Sequence, residues 1–193
     1  ALFERLRRPW ASGLLLAGLL LPGLVALVSL HPSSPVLGQG SYDLIINVVD
    51  ASRLGRSLED IPCVAISHGH YDHTGGLTHV VKVKGRVQVF AHPDIFAKKY
   101  AAVKTNGQEN KKYVGMQCER GELERLGAEF TLDTACREVA KDIYLTGEVP
   151  RLTDYEKGDA RLLVEKEGAI FSDPLLDDQS LVIKTDQGLL IGI

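Results

Sequence analysis

The run Ser67-His68-Gly69-His70-Tyr71-Asp72-His73-Thr74-Gly75-Gly76 gathers three of the chain's six histidines and an aspartate within a few positions. Imidazole and carboxylate are ligands that zinc accepts, with iron and manganese taken at greater cost in selectivity. A continuous strand or helix would spread these side chains around its axis. A strand end followed by a glycine-containing loop can turn them toward one point, and Gly75 and Gly76 let the backbone pass behind such a cluster into the next helix. The spacing predicts a divalent metal site. A metal-free, histidine-rich surface loop is the competing reading, and it leaves the flanking strand and helix signals without a purpose.

The elements that must hold this loop follow from the apolar patterning. Residues 61–66 form a short apolar run, the mark of a buried strand, so the loop is expected at a strand end. Before it, Ser41 caps a predicted helix over residues 41–54, Gly55 ends it, and residues 57–60 read as a connecting turn. After it, the expected order is a helix at 77–83, a strand at 86–91 and a helix at 93–103, with Pro93 suited to a first helical turn. Residues 106–120 are polar and contain glycine, which predicts an irregular loop, while residues 121–126 have helical composition ended by Gly127. Strands are expected at 129–132, 142–145, 160–165, 180–184 and 188–193, the last two joined by a hairpin turn at Asp186-Gln187-Gly188. This order belongs to the α/β class.

With 193 residues, 45% hydrophobic and 24% charged, the chain can bury one sizeable core. A net charge of −3 gives no broad attraction to polyanions and argues against a nucleic-acid partner, the local cluster of Arg5, Arg7 and Arg8 notwithstanding. Cys63, Cys118 and Cys136 form no Cys-x-x-Cys pair, so free thiols are expected rather than a zinc ribbon or redox dithiol. The first forty residues differ in kind from the rest. An uncharged apolar stretch at 13–30 follows the arginines and leads into a Pro/Ser/Gly-rich segment at 31–40. It reads as a signal sequence or membrane anchor, as a buried helix, or as sequence foreign to the domain; its length is near the short limit for a span, and Pro22 interrupts it. The expected division is a segment and linker at 1–40 and a folded domain at 41–193.

The order His68-x-His70-x-Asp72-His73 after a strand resembles the hallmark loop of the metallo-β-lactamase superfamily, whose fold is an αββα sandwich. The resemblance implies two metal sites, zinc in preference to iron or manganese, with His68 and His70 ligating the first and Asp72 and His73 the second. It implies a hydrolase of small molecules in which the metals lower the pKa of water and polarise a substrate oxygen, Asp72 being the catalytic side chain. Redox di-iron members of the superfamily carry glutamate at the second position, where this chain has His70, so hydrolysis is favoured over oxygen reduction. Three further segments narrow the resemblance: Ala91-His92-Pro93-Asp94-Ile95-Phe96, Leu145-Thr146-Gly147-Glu148-Val149-Pro150-Arg151 and Asp173-Pro174-Leu175-Leu176-Asp177-Asp178-Gln179-Ser180. Over residues 38–193 they are similar to the branch named 7,8-dihydropterin-6-yl-methyl-4-(β-D-ribofuranosyl)aminobenzene 5′-phosphate synthase. That branch implies a pterin-linked role in methanopterin metabolism and a cytoplasmic location, with membrane anchoring through residues 13–30 as the alternative.

Relatives of this branch carry further ligands past the position of residues 188–193, in a Gly-Cys-Ser/Ala-His segment and in a later histidine. The resemblance therefore makes the chain the N-terminal half of the sandwich, truncated, and leaves a non-catalytic metal-binding fragment or decayed copy as the competing function. Asp178 stands before a predicted strand where the superfamily often places its next histidine, which makes it a candidate ligand in carboxylate form. His92, after a strand, is a candidate ligand or a hydrogen-bonded structural residue, and His79, inside a helix, is a weaker candidate. Glu148 and Arg151 are candidates for gripping a polar or phosphorylated substrate, or for a surface ion pair.

Overall fold

The computed structural model describes residues 58–192, apart from residues 106 and 157. The predicted helix at 41–54 and the apolar stretch at 13–30 lie outside the described residues. Among those described, no helix is long and apolar enough to cross a membrane.

In chain order the elements are β1 (Cys63–Ala65), α1 (Tyr71–Thr74), α2 (Leu77–Lys84), β2 (Val87–Ala91), β3 (Lys98–Thr105), β4 (Gln108–Tyr113) and α3 (Arg120–Leu126). They continue with β5 (Ala128–Leu132), β6 (Arg137–Ala140), β7 (Ile143–Leu145), β8 (Leu162–Lys166), β9 (Ala169–Ser172), β10 (Leu181–Thr185) and β11 (Gly188–Gly192). Three sheets result: a parallel one ordered β1-β2-β5, and two antiparallel ones ordered β11-β10-β7-β6 and β4-β3-β8-β9.

Strand β1 explains the layering. Its three residues are all buried, and successive side chains of a strand point to opposite faces. Val64 joins the core beneath the helices, with Val80, Val81, Val87, Val89, Ile95 and Leu123. Cys63 and Ala65 join a second core with Ile143, Leu145, Leu181 and Ile183 of the neighbouring sheet. Helices, parallel sheet and antiparallel sheet thus stack as successive layers, and a strand covered on both faces reads as a continuous apolar run, as parallel strands do.

Helices α2 and α3 end against one another. Gly127 caps α3 in the left-handed conformation at φ 115°, and a Cβ there would lie 2.6 Å from the Gly85 carbonyl oxygen that follows α2. Val87 N–H donates to Gly127 O at 3.0 Å, and β2 and β5 start paired at Val87 and Ala128.

The helix expected at 93–103 is corrected. Only residues Pro93–Phe96 turn, as a 3-10 segment capped by His92 Nδ1, and the chain then extends as β3, paired on both sides by β4 and β8. The loop expected at 106–120 contains β4, a strand exposed along its whole length whose polar residues carry no alternation. Strands β6 and β9 are additional to those expected, while the hairpin at Asp186-Gln187-Gly188 joins β10 to β11 as read. Cys63, Cys118 and Cys136 are free thiols, and burial raises the pKa of Cys63.

Leu123 is fully buried between α3 and the sheet. Leu123→Ala is expected to lower stability by about 2–5 kcal/mol in urea unfolding, while Leu152→Ala, at an exposed position, should change it by less than about 0.5 kcal/mol.

Candidate metal centre

Chain direction brings the site together at the end of β1. Ile66 N–H donates to Phe90 O at 3.0 Å, continuing the pairing with β2 for one residue. Its carbonyl then turns to Gln179, accepting from Nε2 at 3.0 Å, and the Ser67 carbonyl accepts from Gln179 N–H at 3.1 Å. With its backbone claimed by the segment before β10, the chain leaves the sheet, and residues 68–70 form a loop. Gly69 crosses against Ile95, where a Cβ would sit 2.3 Å from the Ile95 carbonyl oxygen, so only glycine fits. Its N–H donates to Asp177 Oδ2 at 2.7 Å. Helix α1 begins at once, and Thr74 Oγ1 donates to His70 O at 2.9 Å.

Three of the side chains singled out by spacing converge. One ligand atom from each of His68, Asp72 and His73 lies within 4.8 Å of the other two, and His73 Nε2 stands 3.9 Å from Asp72 Oδ2. The rings of His68 and His73 are 3.9 Å apart between centroids, and Ser67 Oγ lies 3.3 Å from His68 Nδ1 and 3.2 Å from His73 Nδ1. His70 stands beside them, its ring 4.8 Å from that of His68 and nearly perpendicular to it. Its Nε2 is buried with no hydrogen-bond partner among the described residues. A buried polar atom without a partner is costly, and a metal ion is one of the few groups that satisfies an imidazole lone pair there.

The electrostatics suit a cation held by neutral imidazoles. Burial, reinforced by His73, His70 and Lys99, pushes the His68 pKa down to about 2. Burial and then Lys99 lower that of His70, with Asp72, Asp177 and Asp173 pulling the other way. Both rings therefore stay unprotonated near neutral pH and keep lone pairs for coordination. The donor set of imidazoles and one carboxylate fits zinc or another divalent metal.

The other candidates lie elsewhere. Asp178 Oδ2 pairs with Arg151 Nη2 at 2.9 Å on the surface, and its carboxylate is not part of the His68, Asp72 and His73 group. That contact is also the surface ion pair weighed for Arg151. Asp177, one residue earlier, is wholly buried. Both ring nitrogens of His92 are engaged: Nδ1 accepts from Asp94 N–H at 3.0 Å, so Nε2 carries the proton and donates to Glu148 Oε1 at 3.0 Å. This is the structural role. Sequence reasoning missed Lys99, Asp173, Asp177, Ser67 and Gln179 as parts of the site's frame. Asp173, Asp177 and Gln179 were signalled by the Asp173–Ser180 segment, recognised by resemblance and not by chemistry, and Ser67 by its place at the head of the histidine run.

Zinc titration with a competing chelator checks this geometry. His68→Ala combined with His70→Ala should remove tight binding, and Gly69→Ala, which must displace the loop from Ile95, should weaken it by ~10–100-fold.

The chain and its fold are similar to known proteins. The family model for the metallo-beta-lactamase superfamily matches residues 35–170. An uncharacterized Methanocaldococcus jannaschii protein is 33% identical over 159 residues, covering 80% of this chain and 54% of that protein. A second protein from the same organism is named 7,8-dihydropterin-6-methyl-4-(beta-D-ribofuranosyl)-aminobenzene-5'-phosphate synthase. It is 28% identical over 140 residues, covering 69% of this chain and 46% of its own length. A crystal structure described as a metal-dependent hydrolase of the beta-lactamase superfamily superposes with a TM-score of 0.59 at 26% identity, over 76% of this chain and 50% of that one. The chain spans about half the length of these relatives. A strand-end loop of histidines and aspartate, carried on stacked α/β layers and matched by the family model over most of the sequence, leads to one assignment: this chain belongs to the metallo-β-lactamase superfamily.

Proposed function

We propose that the chain forms the metal-binding part of a zinc-dependent hydrolase of small molecules. The observation that carries this reading is the buried Nε2 of His70, which has no hydrogen-bond partner among the described residues, beside the His68, Asp72 and His73 group. His68, His70, Asp72 and His73 would hold the metal. When bound, a divalent ion supplies Lewis acidity, lowering the pKa of water and polarising a substrate oxygen.

The chain's own residues do the rest. Burial keeps the His68 and His70 rings neutral and so ready to donate lone pairs. Ser67 Oγ sits between two imidazole Nδ1 atoms, which fixes how His68 and His73 are turned. Asp72 supplies the carboxylate of the cluster, and we assign it the proton released by the attacking water, accepted on an Oδ atom. His70 in place of a glutamate favours hydrolysis over oxygen chemistry.

The substrate class follows from similarity alone. The relative named as a dihydropterin-linked phosphate synthase supports a pterin-related, phosphorylated small molecule.

The test combines metal analysis with turnover. The purified chain should take up zinc, and the whole protein that carries it should hydrolyse at least one generic phosphodiester, thioester or lactone in a chelator-sensitive manner. Asp72→Ala should reduce that rate by ~10²-fold or more, as loss of a proton-handling side chain does. Turnover indifferent to chelator, or equal in Asp72→Ala, would sink the reading.

A further inference from the structure

Behind the histidine cluster lies a concentration of buried charge that the proposed reaction does not use. Lys99, Asp173 and Asp177 are 2%, 3% and 0% exposed. Lys99 Nζ donates to Asp173 Oδ2 at 2.9 Å and to Asp177 Oδ1 at 2.7 Å. The remaining oxygen of Asp177 is the one that receives Gly69 N–H, between His68 and His70.

The same lysine anchors the loop a second time through its backbone. Lys99 O accepts N–H groups from Val114 at 2.9 Å and Gly115 at 3.2 Å, and Val114 O accepts Tyr71 N–H at 2.9 Å. Gly69 and Tyr71 are the residues on either side of His70. Each is tied by its N–H to a partner fixed on Lys99, one through the ionic chain and one through the β3–β4 pair.

Core stability does not account for this arrangement. Desolvation offsets most of the attraction in a buried ion pair, and apolar side chains of similar volume would pack at least as well. The cluster's distinguishing product is the position of Gly69.

We propose that Lys99, Asp173 and Asp177 are positioning residues that set the affinity of the His68, His70, Asp72 and His73 cluster for divalent metal without touching the ion. The inference rests on the metal reading above. Groups that orient metal ligands from behind commonly change affinity by ~10–100-fold when removed.

The experiment measures zinc affinity of the 193-residue chain by chelator competition, with amide hydrogen exchange at Gly69 in the metal-free protein as a second readout. Asp177→Asn should weaken zinc binding by ~10–100-fold and speed exchange at Gly69, because the carboxylate acceptor is lost. Lys99→Gln with Asp177→Asn leaves one net negative charge in the cluster, as in the parent, and should weaken zinc similarly. It decides the matter by the same criterion if the single variant does not fold. Lys98→Gln removes an exposed pair with Glu165 on the same strand and should leave affinity within ~2-fold. A folded Asp177 variant that binds zinc as the parent does, with Gly69 equally protected, overturns the proposal alone. A parent that binds no zinc overturns the metal reading and this inference together.

Discussion

One hydrogen bond constrains much of the architecture: the amide of Gly69 meets the carboxylate of Asp177 at 2.7 Å in a place that excludes solvent. A carboxylate buried there as an anion needs a cation, and Lys99 supplies it. Burial alone would lower the lysine's pKa, but Asp177 and Asp173 outweigh it and hold the pKa above its usual value, so the ammonium persists. For Lys99 to arrive, the chain after Phe96 must extend as β3. For Asp173 and Asp177 to arrive, β8 must pair onto β3 and β9 onto β8. The β4-β3-β8-β9 sheet is thus placed by a contact whose far end lies in the histidine loop.

On the loop itself, two opposed requirements are met. Imidazoles that coordinate metal must be neutral, and burial achieves that for His68 and His70. The cluster must also attract a cation although a lysine lies behind it. The carboxylates of Asp72, Asp173 and Asp177 bear on His70 in the opposite sense to Lys99, which moderates the lysine's field. A loop built this way suits the divalent metal proposed for it.

The sequence made some of this legible and hid the rest for identifiable reasons. The histidine loop and its strand could be read because chemistry and apolar pattern coincide within a few residues, and Gly127 could be read because a left-handed helix cap leaves few alternatives to glycine. Strand β3 could not. Ala97, Lys98, Lys99, Ala101 and Ala102 are good helix formers, and only pairing with β4 and β8 overrides that preference. Strand β4 is exposed throughout and has no face to announce. Asp177 and Asp178 are adjacent and chemically identical, yet one is buried against Lys99 and the other faces Arg151 at the surface. No local pattern separates them, because the distinction is made by residues far away in the chain.

The meeting of α2 and α3 at Gly85 and Gly127 bears on how this domain can vary in length over evolution. Both helices run directly into neighbouring parallel strands, and the strand register begins at the same contact. Inserting or deleting one residue in either helix would turn its apolar face away from the core, since each residue advances a helix by about a quarter turn or slightly more. It would also shift one strand against its neighbour and reverse which side chains face inward. Length change in one helix–strand unit is therefore tolerable only with a matching change in the other. Insertions have easier passage through the exposed connection at residues 149–153, which lies outside the paired strands.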